Sequence, residues 1–212
     1  MFRQVVFGAL VACPLVAQTP FEGTVALNLT AGDGRVNAMS FMLKDGKMRF
    51  DPVAGMNGGG PMISVILDPV AQRMTIMMNQ QKMYTERDFP SAATMQAQTG
   101  VKPNAIVKTG KSELVAGHKC DHYTMNDDDG GTVDACTTTE LGAFRLPAGA
   151  NPMAPQREAG WITQLGVGAF PLKVQKNGKT VLEVTAIDKK PLDPELFLPP
   201  MDYTQFQIPK KP

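Results

Sequence analysis

Residues 117–138 read G-H-K-C-D-H-Y-T-M-N-D-D-D-G-G-T-V-D-A-C-T-T, from Gly117 to Thr138. Two alternating runs, Lys119 to Asn126 and Thr132 to Thr138, flank the turn-forming cluster Asp127-Asp128-Asp129-Gly130-Gly131. Such a pattern specifies a β-hairpin with a five-residue connection. Centring the turn on Asp128 sets Cys120 opposite Cys136 and His122 opposite Asp134. Facing residues of a non-hydrogen-bonded antiparallel pair have Cα atoms about 4.5 Å apart, which a disulfide tolerates. The hairpin is therefore expected to be closed by a Cys120–Cys136 bridge, enclosing a loop of about 15 residues that the chain-entropy model values at about 3 kcal/mol.

The same two-residue period recurs on both sides. Upstream, alternation runs through Phe21 to Thr30, Val36 to Leu43 and Lys47 to Asp51, the last two joined by Asp45-Gly46, a strong hairpin signal. Met62 to Leu67 and Arg73 to Met78 form a further pair around Asp68-Pro69-Val70-Ala71, followed by Gln81 to Arg87. Ala105 to Val115 leads into the cysteine hairpin, and Phe170 to Lys176 and Lys179 to Lys189 meet at Asn177-Gly178. Residues 53–61 and 147–155 are too rich in Gly and Pro for a regular element. Ser91 to Gln98, Glu140 to Phe144 and Asp193 to Phe197 are candidate helical turns. Arg157 to Leu165 carries Trp161, Ile162 and Leu165 at helical spacing. About nine to eleven strands result, in one antiparallel sheet too long to stay flat. The expected fold is mainly β, a single strongly curved antiparallel sheet with one or two short helices covering its concave face.

Composition narrows the function classes. The 212 residues carry 21 basic and 20 acidic side chains, a formal charge of +1, with no run of either sign beyond the three residues Asp127 to Asp129. No electrostatic footprint for nucleic acid is present. Residues 1–17 have one basic residue at Arg3, an apolar run from Val5 and then small residues, the pattern of a secretory signal. No later apolar run approaches the 20 or so residues of a membrane span. Cleavage after Ala17 would leave a single β-rich envelope domain, 18–212. Leu10-Val11-Ala12-Cys13 also matches a lipobox, which would remove 1–12 and lipidate Cys13. Either outcome leaves Cys120 and Cys136 as an even pair in an exported chain, the setting in which disulfides persist. The protein is expected in the periplasm or at the outer membrane, as a monomer.

The segments F-E-G-T-V at Phe21, L-D-P-V-A-Q-R-M at Leu67, A-G-H-K-C-D-H-Y at Ala116, V-D-A-C at Val133, F-P-L-K-V at Phe170 and I-D-K-K-P-L-D-P-E-L-F-L-P-P-M-D-Y at Ile187 together resemble a family of bacterial envelope proteins known as a domain of unknown function. That family is similar in fold to periplasmic lipoprotein carriers of the LolA type. The resemblance implies a half-barrel holding acyl chains beneath a helix, and it transfers no catalytic residue.

Candidate chemistry is sparse. His118, Cys120 and His122 share a strand face, but the two histidines lie about 13 Å apart, too far to share one ion. Cys120, Cys136 and His122 would suit a soft metal only with the cysteines reduced. A His122–Asp134 dyad has no neighbouring nucleophile, and a cross-strand pair accounts for it. Asp127 to Asp129 lack the closing Glu of an EF-hand, since the twelfth position is Thr138. Gly178-Lys179-Thr180 lacks the upstream glycine of a phosphate loop, Lys173 standing there. Fourteen methionines are the compositional oddity, and an unbranched thioether makes an apolar surface adaptable. The expected function is non-enzymatic binding of a lipid, acyl chain or hydrophobic segment of an envelope partner, with Trp161, Ile162, Leu165, Met39, Met74 and Met78 lining or covering the face. No cofactor and no metal are assigned. A structural interaction module and a copper-like Met/His site are the alternatives.

Overall fold

A computed structural model describes residues 21–52, 62–88, 105–127, 130–142 and 169–207. They form β1 (Gly23–Thr30), β2 (Val36–Lys44), β3 (Lys47–Pro52), β4 (Ile63–Asp68), β5 (Arg73–Met78), β6 (Met83–Asp88), β7 (Val107–Val115), β8 (His118–Asn126), β9 (Thr132–Thr138), β10 (Phe170–Lys176), β11 (Lys179–Lys189), a 3-10 helix (Pro194–Phe197) and β12 (Thr204–Gln205). All twelve strands belong to one open sheet in the order β12-β6-β5-β4-β3-β2-β1-β11-β10-β9-β8-β7. Two meanders, β1–β6 and β7–β11, are joined because β1 pairs with both β2 and β11. Every ladder is antiparallel except the two-residue pairing of β12 with β6.

The turns are where their residues demand. Asp45-Gly46, Ala116-Gly117 and Asn177-Gly178 all have positive φ at both positions. This is the type I′ geometry whose twist matches the strands it joins. In the β8–β9 hairpin Asn126 faces Thr132, so five residues form the connection. That connection centres on residue 129, not 128, and the pairing expected from the sequence shifts by two. Cys136 faces His122, and Asp134 faces Thr124. A shift of two preserves which face each side chain takes, so Cys120 and Cys136 still share a face and are bridged, with Cα atoms 5.2 Å apart.

Ladders between β1 and β6 run without interruption, whereas β1–β11, β10–β11, β9–β10 and β7–β8 each contain a register shift. Bulges bend a strand and re-aim its side chains, and Pro171, which cannot donate to a ladder, sits at one of them.

One face of the sheet is apolar along its length. Val25, Leu27, Phe41, Leu43, Met48, Phe50, Val65, Leu67 and Met74 join Val133, Ala135, Phe170, Leu172, Val174 and Leu182 in one buried cluster. Cross-strand register stacks these side chains in rows. Leu43, Met48, Leu67 and Met74 face one another in sequence, as do Val25, Phe41, Phe50, Val65 and Ile76.

The opposite face of β2–β6 is covered by the C-terminal segment. Phe197 is buried with Ile66 and Met77, and Met42, Tyr84, Leu196 and Tyr203 pack around them. The Arg49 guanidinium donates to the Leu196 carbonyl at 2.7 Å, and Glu22 accepts from the Leu192 amide at 2.6 Å. The chain then adds β12 to β6, pairing backbone that an edge would leave free. The helical turn expected at Asp193 to Phe197 is the 3-10 helix, capped by the Asp193 carboxylate. It covers the face opposite the main apolar cluster, not that cluster. Among the described residues there is no α-helix: residues 140–142 form a turn, and the helices expected over 91–98 and 157–165 lie outside them.

Candidate functional site

The strand methionines singled out from the sequence fall on the apolar face. Leu27 faces Met39, Met39 faces Pro52, and Ile63 faces Met78, which faces Met83. Met39, Ile63, Met78 and Met83 are half-buried, forming a methionine-rich margin beside a sealed interior. Met74 belongs to that interior, 8% exposed, between Leu67 and Arg87. Trp161, Ile162, Leu165 and Cys13 lie outside the described residues.

A second constellation lies on the other face, in the bulged half of the sheet. Glu113 faces Cys120, His122 faces Cys136, and Cys136 faces Lys173, so strand register alone brings these side chains together. His122 Nδ1 lies 2.6 Å from an Asp134 carboxylate oxygen, and its Nε2 is 3.6 Å from Glu113 Oε1. Lys173 Nζ stands 3.4 Å from that same Oε1. Glu113 Oε1 is sealed from solvent yet accepts no hydrogen bond. The His122 ring thus stands between two carboxylates, Nδ1 on Asp134 and Nε2 toward Glu113 Oε1. Ligand atoms of Glu113, His122 and Cys136 all lie within 4.8 Å of one another. While the bridge is closed Cys136 is unavailable as a thiolate, so the described geometry is that of a charged cluster packed on a disulfide.

A bulge in β7 lies beside this cluster. Register is lost between Lys108 and Ser112, opposite His122. Asp121 staples both sides of the bulge, accepting from Lys108 Nζ at 2.6 Å and Ser112 Oγ at 2.7 Å. Its carboxyl is held below the usual range, first by the Lys108 hydrogen bond and then by Ser112. The His122–Asp134 contact expected from the sequence therefore exists, diagonally and not across facing positions. Glu113 and Lys173 escaped sequence analysis because they come from separate strands, β7 and β10, brought in by pairing with β8 and β9. His118 takes a different partner, Glu140, at 2.9 Å. Asp127 is buried and pairs with Lys176, tying the β8–β9 turn to the β10–β11 hairpin.

Fold and site define a mainly β domain, one open sheet with an apolar face, a disulfide hairpin and a C-terminal segment strapped across its other face. The chain belongs to the family described as "Domain of unknown function (DUF4412)", whose model matches residues 21–203. No curated protein matches it. Among solved structures it is similar to PNGF-II in the C2 space group, at 15% identity and a TM-score of 0.50, over 88% of this chain and 31% of that chain. The P21 form of PNGF-II gives 14% identity and a TM-score of 0.48, over 84% and 30%. An uncharacterized conserved protein from Thermus thermophilus is similar at 8% identity and a TM-score of 0.49, over 89% of this chain and 90% of its own. The chain thus spans less than a third of PNGF-II, and identities this low speak to fold alone. These three do not confirm the expected likeness to LolA-type carriers. Among the described residues no helix is long and apolar enough to cross a membrane.

Proposed function

We propose that this is an exported, non-enzymatic envelope protein that binds an acyl chain or a comparably extended apolar group at the methionine margin of its apolar face. The observation that carries the reading is that Ile63, Met78 and Met83 align in one row and Met39 lies on the same face, all four half-buried. Thioether side chains adapt to an irregular apolar guest at small steric cost, and the sealed rows behind them give the margin a rigid floor. The secretory pattern of residues 1–17 and the Cys120–Cys136 bridge favour an oxidising compartment. A twelve-stranded twisted sheet curls, which supports the half-barrel architecture of LolA-type carriers.

Native mass spectrometry of the mature protein purified from an envelope fraction, followed by solvent extraction, tests this. A co-purifying acyl species near one equivalent supports it. Met39→Glu combined with Met78→Glu should then weaken binding of a fluorescent fatty acid by about tenfold or more, one kcal/mol-scale apolar contact being lost at each position. A clean apo mass with no binding of the fatty acid overturns the reading. Weight would then pass to a protein-interaction module, for which the exposed Val107 and Leu114 of the terminal strand β7, with Ile106 just before it, are the starting surface.

A further inference from the structure

The cluster of Glu113, His122 and the two cysteines lies on the face opposite the methionine margin, so its chemistry is independent of any apolar ligand held there. We propose that the Cys120–Cys136 bridge is the closed state of a redox-gated metal site, which takes a zinc-class divalent cation once the disulfide is reduced. Four ligands are then available on one sheet face: the thiolates of Cys120 and Cys136, Nε2 of His122 and a carboxylate oxygen of Glu113.

Geometry favours this set. Bonds of about 2.0–2.3 Å in a tetrahedral zinc site place ligand atoms roughly 3.3–3.8 Å apart. The ligand atoms of Glu113, His122 and Cys136 already lie within 4.8 Å of one another, so a contraction of about 1 Å brings these three to ligand spacing, and reduction frees the Cys120 thiolate to move in as the fourth. Two further features point the same way. Glu113 Oε1 is sealed from solvent with no hydrogen bond, and it confronts His122 Nε2 at 3.6 Å. A cation between these two atoms satisfies both. Asp134, 2.6 Å from Nδ1, makes the carboxylate–histidine contact that fixes the ring and raises its basicity as a ligand. Charge also closes. Two thiolates, one carboxylate and a divalent ion sum to −1, and Lys173, 3.4 Å from Glu113, supplies the balancing positive charge.

The gating step needs an external dithiol. One of its thiolates attacks a sulfur of the bridge, its second thiol resolves the mixed disulfide, and it leaves as a cyclic disulfide. Two electrons and two protons pass to Cys120 and Cys136, and metal binding releases the two thiol protons. Both cysteines are 1% exposed, so access requires local opening. β7 ends the order of the described strands, so its bulged ladder with β8 is the place where such opening is easiest.

Cobalt(II) titration of the mature protein, with and without prior reduction by a water-soluble phosphine, is the test. Reduced protein should bind one equivalent with a sulfur-to-cobalt charge-transfer band and the visible bands of a tetrahedral site, displaced by zinc; oxidised protein should show neither. Asp134→Asn should weaken binding by about 10–100-fold, and His122→Ala and Glu113→Gln should each weaken it at least as much. Equal binding by oxidised protein overturns the gating. Unchanged affinity in His122→Ala and Glu113→Gln overturns the four-ligand site. Should reduction abolish the far-UV signature of the sheet, zinc is expected to restore it, and failure to do so also overturns the proposal.

Discussion

Replacing Cys120 and Cys136 together by alanine should lower the unfolding free energy by about 4–5 kcal/mol and leave the protein folded. The bridge spans 16 positions, and the chain-entropy relation assigns such a loop about 3 kcal/mol. Both cysteines are 1% exposed, so removing their sulfurs also forfeits roughly 1 kcal/mol of buried contact at each position or somewhat less. Total stabilities of domains this size run to about 5–15 kcal/mol, which leaves the hairpin standing on its ladders and on the Lys176–Asp127 pair. Equilibrium unfolding in urea, monitored by far-UV circular dichroism, reads the loss. Because the unbridged denatured chain is more expanded, the m-value should rise as the midpoint falls. Cys120→Ala alone separates the terms, losing the bridge while keeping one sulfur. A double-variant loss below about 1 kcal/mol with an unchanged m-value would refute the reasoning, because the bridge would then constrain nothing the denatured chain explores.

Three other outcomes are expected from the strapped face and the first strand. Phe197→Ala should cost about 3–5 kcal/mol, the usual range for a buried phenylalanine, since Phe197 is 5% exposed against Ile66 and Met77; amide exchange should quicken in 192–207 before it does in β8 and β9. Gly23→Ala should be among the most damaging single substitutions, on the order of 4 kcal/mol or more, because a Cβ there would meet the Asp188 carbonyl oxygen at 2.3 Å with φ at +154°; a normal melting temperature would contradict this. Glu22 has its carboxyl held below its ordinary 4.5, first by the Leu192 amide and then by Lys44. Its contribution is therefore full above about that value and is lost as pH falls through the lower folded value, so acid should loosen the strap, and Glu22→Gln should abolish that pH dependence of exchange at Leu192.

Eleven of the twelve strands could be found in the sequence because half-buried antiparallel strands write their two faces as alternation. Asp45-Gly46 and Asn177-Gly178 announced their own turns. The twelfth strand carries only Thr204 and Gln205, too short for any period, and exists because the strap reaches the β6 edge. Register failed where turn geometry decided it: five residues between Asn126 and Thr132 fix the centre one position later than assumed, moving Cys136 from Cys120 to His122. The error did not hide the bridge, because a slip of two leaves every side chain on its face. The polar cluster stayed hidden for another reason: Glu113 faces Cys120 across the β7–β8 ladder and Lys173 faces Cys136 across β9–β10, so it is assembled by the pairing of four strands, which alternation within any one strand does not record.

The two halves of the sheet have divided its faces unequally, and the strap explains why. Across β2–β6 both faces are occupied, one by the apolar rows and the other by Phe197 and its neighbours. A polar cluster there would have to displace the strap. In β7–β11 the second face holds the half-buried His122, Glu113 and Lys173 above the bridge, and four of the sheet's ladders with register shifts gather in or beside this half. Uninterrupted ladders keep rows of apolar side chains in line; bulged ladders turn side chains from neighbouring strands toward one point. Arg49, which donates to Leu196 on the strap, and His122, which pairs with Asp134, share no partners. Substitutions that release the strap should accordingly add to those that perturb the His122 cluster without coupling between them.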